Sequence, residues 1–135
     1  MSASKREELK VDGLPYPVSH YTDAVRWGDV VYVSGCVAIT ADGDIPDPDD
    51  VTAQAELVHE HLGRALRAAG TDFAHVLKVT VFLTDINDRA AINVVREKFF
   101  GTARPASTLV EVSALIRPEL KVEIEAVAGI PAVAG

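Results

Sequence analysis

Residues 104–112 read Arg104-Pro105-Ala106-Ser107-Thr108-Leu109-Val110-Glu111-Val112, and after a loop the chain continues Lys121-Val122-Glu123-Ile124-Glu125-Ala126-Val127. Both runs carry the two-residue period of a strand, with Val122, Ile124 and Ala126 on one side and Glu123, Glu125 and Val127 on the other. One side has the composition of a surface packed on helices. The other is neither plainly polar nor plainly apolar, and a partly apolar sheet face is commonly covered by another subunit. A closed homo-oligomer is expected on that ground.

Working back from this pair, Val76 to Thr84 (VLKVTVFLT) is nearly continuous in β-branched and aliphatic residues, as in a strand buried on at least one face. Between it and the quoted stretch, 88–100 has helical spacing, with Ala91, Val94, Val95, Lys98 and Phe99 as its packing face. A longer helix is expected over 51–69, capped by Asp49 or Asp50, ended by Gly70, and apolar at Ala55, Val58, Leu62, Ala65, Leu66 and Ala69. Before it come an acidic loop, 41–50, and a hairpin of 23–27 and 30–35 about Gly28-Asp29. The apolar run continues through Cys36 to Thr40, and Gly35 inside it reads as a bulge or a point of close approach. Helices lie between strands, and hairpin-like pairs stand at both ends of the chain. The pattern is α+β: one mixed sheet with two helices on one face.

The chain has 135 residues, which fits one domain, and a formal net charge of -7, which argues against a generic nucleic-acid binder. A single cysteine, Cys36, cannot form an internal disulfide, and a reducing, cytoplasmic setting is the natural reading. The polar start lacks the apolar core of a signal peptide, and no run has the ~20 apolar residues of a membrane helix. The small apolar tail from Gly129 reads as a frayed end.

Four blocks together resemble the Rid/YjgF family. They are His20-Tyr21-Thr22-Asp23-Ala24-Val25 with Gly28 to Gly35, Val79 to Asp85 with Ala91-Ile92-Asn93 and Phe99-Phe100, Arg104 to Val112, and Val122 to Ala126. The resemblance implies a single domain over 20–130 preceded by an extension, 1–19. It implies a chorismate-mutase-like fold, a homotrimer, and a small-molecule site in a cleft between subunits. It also implies hydrolysis of an imine or enamine to a carbonyl compound and ammonia, with no metal and no organic cofactor. The alternative is a non-catalytic, metabolite-binding or chaperone-like member of the same fold.

The same resemblance distributes roles. Glu123 matches the glutamate that orients the attacking water, or it forms an ion pair in the oligomer interface. Tyr21 matches a tyrosine over the substrate, or it is a packing tyrosine. His20, beside it, offers an imidazole for acid–base chemistry. Ser34 and Gly35 offer backbone N–H groups to a ligand, with Cys36 next to them. Asn93, Thr108, Glu111 and Arg104 are further candidates for the cleft. In the deaminating members an arginine follows the Pro-Ala of the third block and clamps the substrate carboxylate. Here that position is Ser107, which can give one neutral hydrogen bond where a guanidinium gives a charged fork. This implies a substrate other than simple 2-imino acids, unless Arg104 or Arg117 replaces the clamp. His59, His61 and His75 show no metal-ligand spacing.

Overall fold

The computed structural model describes residues 5–132. The strands are β1 (Arg6–Leu9), β2 (Ala24–Trp27), β3 (Val30–Val37), β4 (Val76–Leu83), β5 (Ala106–Glu111) and β6 (Val122–Gly129). The helices are α1 (Val51–Ala68) and α2 (Arg89–Phe100); a short 3-10 turn precedes β4 (Phe73–His75) and another follows it (Ile86–Asp88). The strands form one six-stranded sheet in the order β1-β2-β3-β6-β4-β5. All pairs are antiparallel except β4 with β5.

Local chemistry sets the boundaries. Gly28 at φ 61° turns the β2–β3 hairpin in the left-handed region, where a Cβ is unfavourable. Asp50 caps α1 by accepting from the Ala53 N–H at 3.1 Å. Asp85 caps the turn before α2 by accepting from the Asn87 N–H at 2.9 Å. The expected apolar face of α1 is fully buried against the sheet. On α2 the packing face is Ile92, Val95, Phe99 and Phe100, while Val94 is 69% exposed. The helix is rotated relative to the expectation because Phe100 packs into an aromatic cluster with Phe73 and the buried His59.

The register sorts every strand residue onto one of two faces. Val31, Val33, Val79, Val81, Leu83, Val122, Ile124 and Ala126 form the helix-covered side and are buried. On the open side, cross-strand rows run Val37–Glu123–Phe82–Val110, then Glu125–Thr80–Thr108, then Val25–Tyr32–Val127–Lys78–Ala106. This open face is mixed as the sequence pattern implied, with Trp27 and Tyr32 each more than half exposed.

Three details differ from the sequence expectation. The last two strands are not a hairpin. β6 inserts between β3 and β4, and β5 joins the far edge parallel to β4. A strand also lies within 1–19: Arg6–Leu9 pairs with β2, and Val11 behind it is buried. Its sequence, REEL, has no apolar period to reveal it, because an edge strand with a solvated face needs only backbone pairing. Finally, β6 runs through Gly129, and the Ile130 N–H donates to the Asp29 carbonyl at 2.8 Å; residues 133–135 lie outside the described residues.

Candidate functional site

A cavity of about 700 Å³ opens where β3 and β6 meet the loops above them. Its floor is made by a bulge. The β3–β6 register shifts between Val33 and Cys36, so Ser34 and Gly35 form an unpaired step in the ladder. Ser34 is tied down on both sides, its N–H to the Asp23 carbonyl at 2.9 Å and its hydroxyl to the Thr22 carbonyl at 2.6 Å. Asp23 is buried and in turn accepts from the Val11 N–H at 2.7 Å and from Lys10 Nζ at 3.1 Å. These bonds fix the backbone on which Tyr21 stands at the cavity wall.

Over the bulge lies Glu123. A Cβ built on Gly35 would come 2.8 Å from Glu123 Cδ and 3.1 Å from Cγ, and nearer still to Oε2. Gly35 is therefore a close-approach glycine: its missing side chain is the space the carboxylate occupies. Burial, and then the charge of Glu125 two residues on, hold the Glu123 carboxyl above its ordinary range. A half-buried carboxyl whose pKa is raised in this way is a better proton acceptor than an ordinary carboxylate, and can exchange a proton with water or with a nitrogen.

The remaining walls come from three loops, and of their residues only Arg117 was singled out from the sequence, as a possible replacement for the clamp. Tyr16 and Val18 arrive from the loop after β1, Asp42 and Gly43 from the acidic loop, and Ile116 and Arg117 from the β5–β6 loop. Tyr16 lies between Pro15 and Pro17, and this rigid Pro-Tyr-Pro was the available signal for a presented aromatic.

The predicted site residues divide. Glu123, Tyr21, Ser34 and Gly35 share the cavity. His20 lines an adjoining hollow of about 500 Å³ that shares Tyr21 and Ser34 with it. Cys36 faces the core, not the cavity: it follows the bulge on the helix-covered side, is buried, and its thiol is pushed up to about 12, chiefly by burial. Ser107, Thr108 and Glu111 sit on β5, which β4 separates from β6. Ser107, Leu109 and Glu111 are in register with Val79, Val81 and Leu83 on the helix side, so only Thr108 looks onto the open face. Glu111 accepts from the Ile86 N–H at 2.9 Å and so closes the turn before α2. Asn93 and Arg104 line a separate hollow beside the end of α2, where Asn93 donates to Glu97 at 3.2 Å. Within one chain these residues stand apart from Glu123.

His59 and His61 are structural, and His75 pairs with Asp72 at the surface. His59 Nδ1 lies 2.7 Å from the Ala55 carbonyl, and its ring stacks on Phe99. His61 Nε2 lies 2.8 Å from the Ile39 carbonyl, beneath the cavity wall. Burial lowers both pKa values. Among the described residues no group of three or more His, Cys, Asp or Glu is placed to hold a metal ion, and no helix is long and apolar enough to cross a membrane.

The fold and the cavity define a class: a small α+β domain with one mixed sheet, helices on one face, and a carboxylate seated on a glycine bulge at the other. The chain belongs to the Rid/YjgF family, since residues 13–130 match the family described as endoribonuclease L-PSP. It is 39% identical over 130 residues to protein DfrA of Myxococcus xanthus, covering 95% of this chain and 98% of that one. It is 34% identical over 128 residues to the 2-iminobutanoate/2-iminopropanoate deaminase of Mus musculus, covering 95% and 94%. Among solved structures, TdcF from E. coli with bound serine superposes with a TM-score of 0.85 at 33% identity, covering 93% of this chain and 99% of that one. RidA from an Antarctic Psychrobacter gives 0.86 at 33%, covering 92% and 99%.

Proposed function

We propose that this protein hydrolyses the C=N bond of an imine, or of an enamine in its imine form, releasing a carbonyl compound and ammonia. The observation that carries the reading is the Glu123 carboxyl held above its ordinary range over a bulge that has no side chain. Ionised Glu123 takes a proton from a water molecule as the water oxygen attacks the imine carbon. With the imine protonated on nitrogen, the C=N π electrons go to nitrogen and a carbinolamine forms; the proton held by Glu123 passes to that nitrogen, the hydroxyl proton returns to Glu123 as the C=O bond forms, and the C–N bond breaks with its electrons leaving on ammonia. Tyr21 and His20 are the groups we assign to hold or protonate that nitrogen. Deaminase activity in a mouse relative of 34% identity supports the reaction type. The net charge of -7 speaks against a polyanionic substrate such as RNA.

The substrate we assign is larger than the simple 2-imino acids. Ser107 stands where the deaminating relatives are expected to carry a clamp arginine, and a cavity of about 700 Å³ exceeds what a three-carbon imine fills. The open sheet face, with Trp27 and Tyr32 exposed, is assigned to contacts between copies in a homotrimer, whose clefts would bring β5 of one copy toward Glu123 of another. The test is ammonia release from imines generated in place from a series of amino acids. Faster turnover with large apolar side chains than with 2-iminopropanoate is expected. No ammonia from any member of the series would refute the hydrolase reading and leave a metabolite-binding protein.

A further inference from the structure

Among the described residues, Arg117 is the only cationic one lining the Glu123 cavity. The acids that line the cavity with it, Asp42, Glu123 and Glu125, come from other elements, and Arg117 pairs with none of them. The loop that carries Arg117 is held from below by Gln54, a fully buried side chain on α1. Gln54 Nε2 donates to the Glu119 carbonyl at 2.8 Å and to the Asp47 carbonyl at 2.9 Å, and its Oε1 accepts from the Lys121 N–H at 2.7 Å. The Asp49 N–H also donates to the Glu119 carbonyl, at 3.2 Å, and the Leu120 N–H donates to the Arg117 carbonyl at 3.1 Å. The backbone from Arg117 to Lys121 is thus held before any ligand arrives, a condition for a precise polar contact.

The side chain itself is only lightly committed. It donates one bond, to Glu119 Oε2 at 3.2 Å, across a pair that is one-third to one-half exposed. Such exposed pairs contribute little and are readily rearranged. Among the described residues the rest of the guanidinium fork has no acceptor. A planar, permanently charged fork facing a cavity matches a carboxylate in shape and sign. An imine protonated on nitrogen carries the opposite charge and belongs beside Glu123 and Glu125.

Resting on the proposed imine chemistry, we infer that Arg117 determines specificity. It receives an anionic group, a carboxylate in the simplest case, of a ligand whose nitrogen lies at Glu123 and whose apolar body lies against Tyr16, Val18 and Ile116.

Titration calorimetry of the full-length protein with 4-methyl-2-oxopentanoate and with its uncharged methyl ester tests this without turnover. The native protein is expected to bind the acid about 10- to 100-fold more tightly than the ester, the ratio one charged fork supplies. Arg117→Gln should bring the two affinities together, and Arg104→Gln should keep the native ratio. A native ratio retained in Arg117→Gln overturns the assignment. So does its loss in Arg104→Gln, or a native protein that binds neither ligand. Kinetics separate the two claims. With the imine of the same acid, Arg117→Gln should raise KM about 10- to 100-fold with kcat changed less than about threefold. An Arg117-dependent preference without turnover in the native protein would refute the hydrolase and uphold Arg117.

Discussion

Gly35→Ala isolates the position of one carboxylate. Gly35 is not among the glycines with positive φ, so its backbone accepts an L-residue and no conformational strain enters. The three heavy atoms nearest the new Cβ all belong to the side chain of Glu123, whose Cδ would lie at 2.8 Å. Ordinary contact needs about 3.4 Å or more, so the carboxylate must swing away by about 1 Å. A flexible side chain can do this for about 0.5–1.5 kcal/mol of rotamer energy. Replacing glycine in a strand returns about 0.4–1 kcal/mol through the unfolded chain. The net change in stability should therefore lie within about 1 kcal/mol of zero, whereas a misplacement of this size costs on the order of 100-fold in rate. Urea unfolding and ammonia release on the same sample check both halves. Turnover within about threefold of native would refute the idea that the seat on Gly35 matters. A loss of several kcal/mol would show that the bulge is held by something other than the sheet and the Ser34 bonds. In a Glu123→Ala background, adding Gly35→Ala should have little further effect on turnover, since there is no carboxylate left to displace.

Other consequences are as direct. Gln54→Ala leaves the Lys121 N–H without its acceptor and opens a hole beneath the β5–β6 loop; a loss of about 2–4 kcal/mol is expected in urea unfolding. His59 and His61 have pKa values lowered by burial from 6.5, so the unfolded chain takes up their protons first and stability should be lost as pH falls below about 6.5. His59→Phe, which replaces one ring in an aromatic cluster by another, should flatten that slope; an unchanged slope in thermal melts from pH 7.5 to 5 would contradict it. With its thiol pushed up to about 12 and buried, Cys36 should resist iodoacetamide at pH 8 until the protein is unfolded; rapid native-state labelling would place it elsewhere.

Much of this was legible in the chain, and for physical reasons. The period of β6 and the spacing of α1 reflect how much apolar surface each element buries, so both could be read from composition alone. REEL could not, because an edge strand is specified by its partner's backbone. The separation of β5 from β6 could not either, since strand order is a property of the crossover and not of either strand. Glu123 was visible as a carboxylate on an apolar strand and Gly35 as a glycine inside one, while the site roles of Glu123 and Tyr21 came from the family resemblance. Tyr16, Val18 and Ile116 were not, because an apolar residue in a loop has no signature until the loop is folded over a cavity. Arg117 was visible as a charge without a place, and the bonds of Gln54 supply the place. Asn93 and Arg104 show the converse, polar residues in a suggestive block that one chain folds away from the carboxylate.

The central claim is that Glu123 moves the proton of the attacking water. Its raised pKa means that the folded protein holds the proton more tightly than the unfolded chain does. The ionised side chain therefore costs stability as pH rises through and above its folded value, and Glu123→Gln should be at least as stable as native at pH 7. The deciding measurement is kcat for imine hydrolysis by Glu123→Gln across pH, beside the native enzyme and Glu125→Gln. A fall of about 100-fold or more is expected in Glu123→Gln. A native acid limb above the usual carboxylate range is also expected, and a shift of that limb to lower pH when the Glu125 charge is removed. A Glu123→Gln enzyme that turns over within about twofold of native, with the same acid limb, would contradict the role of Glu123.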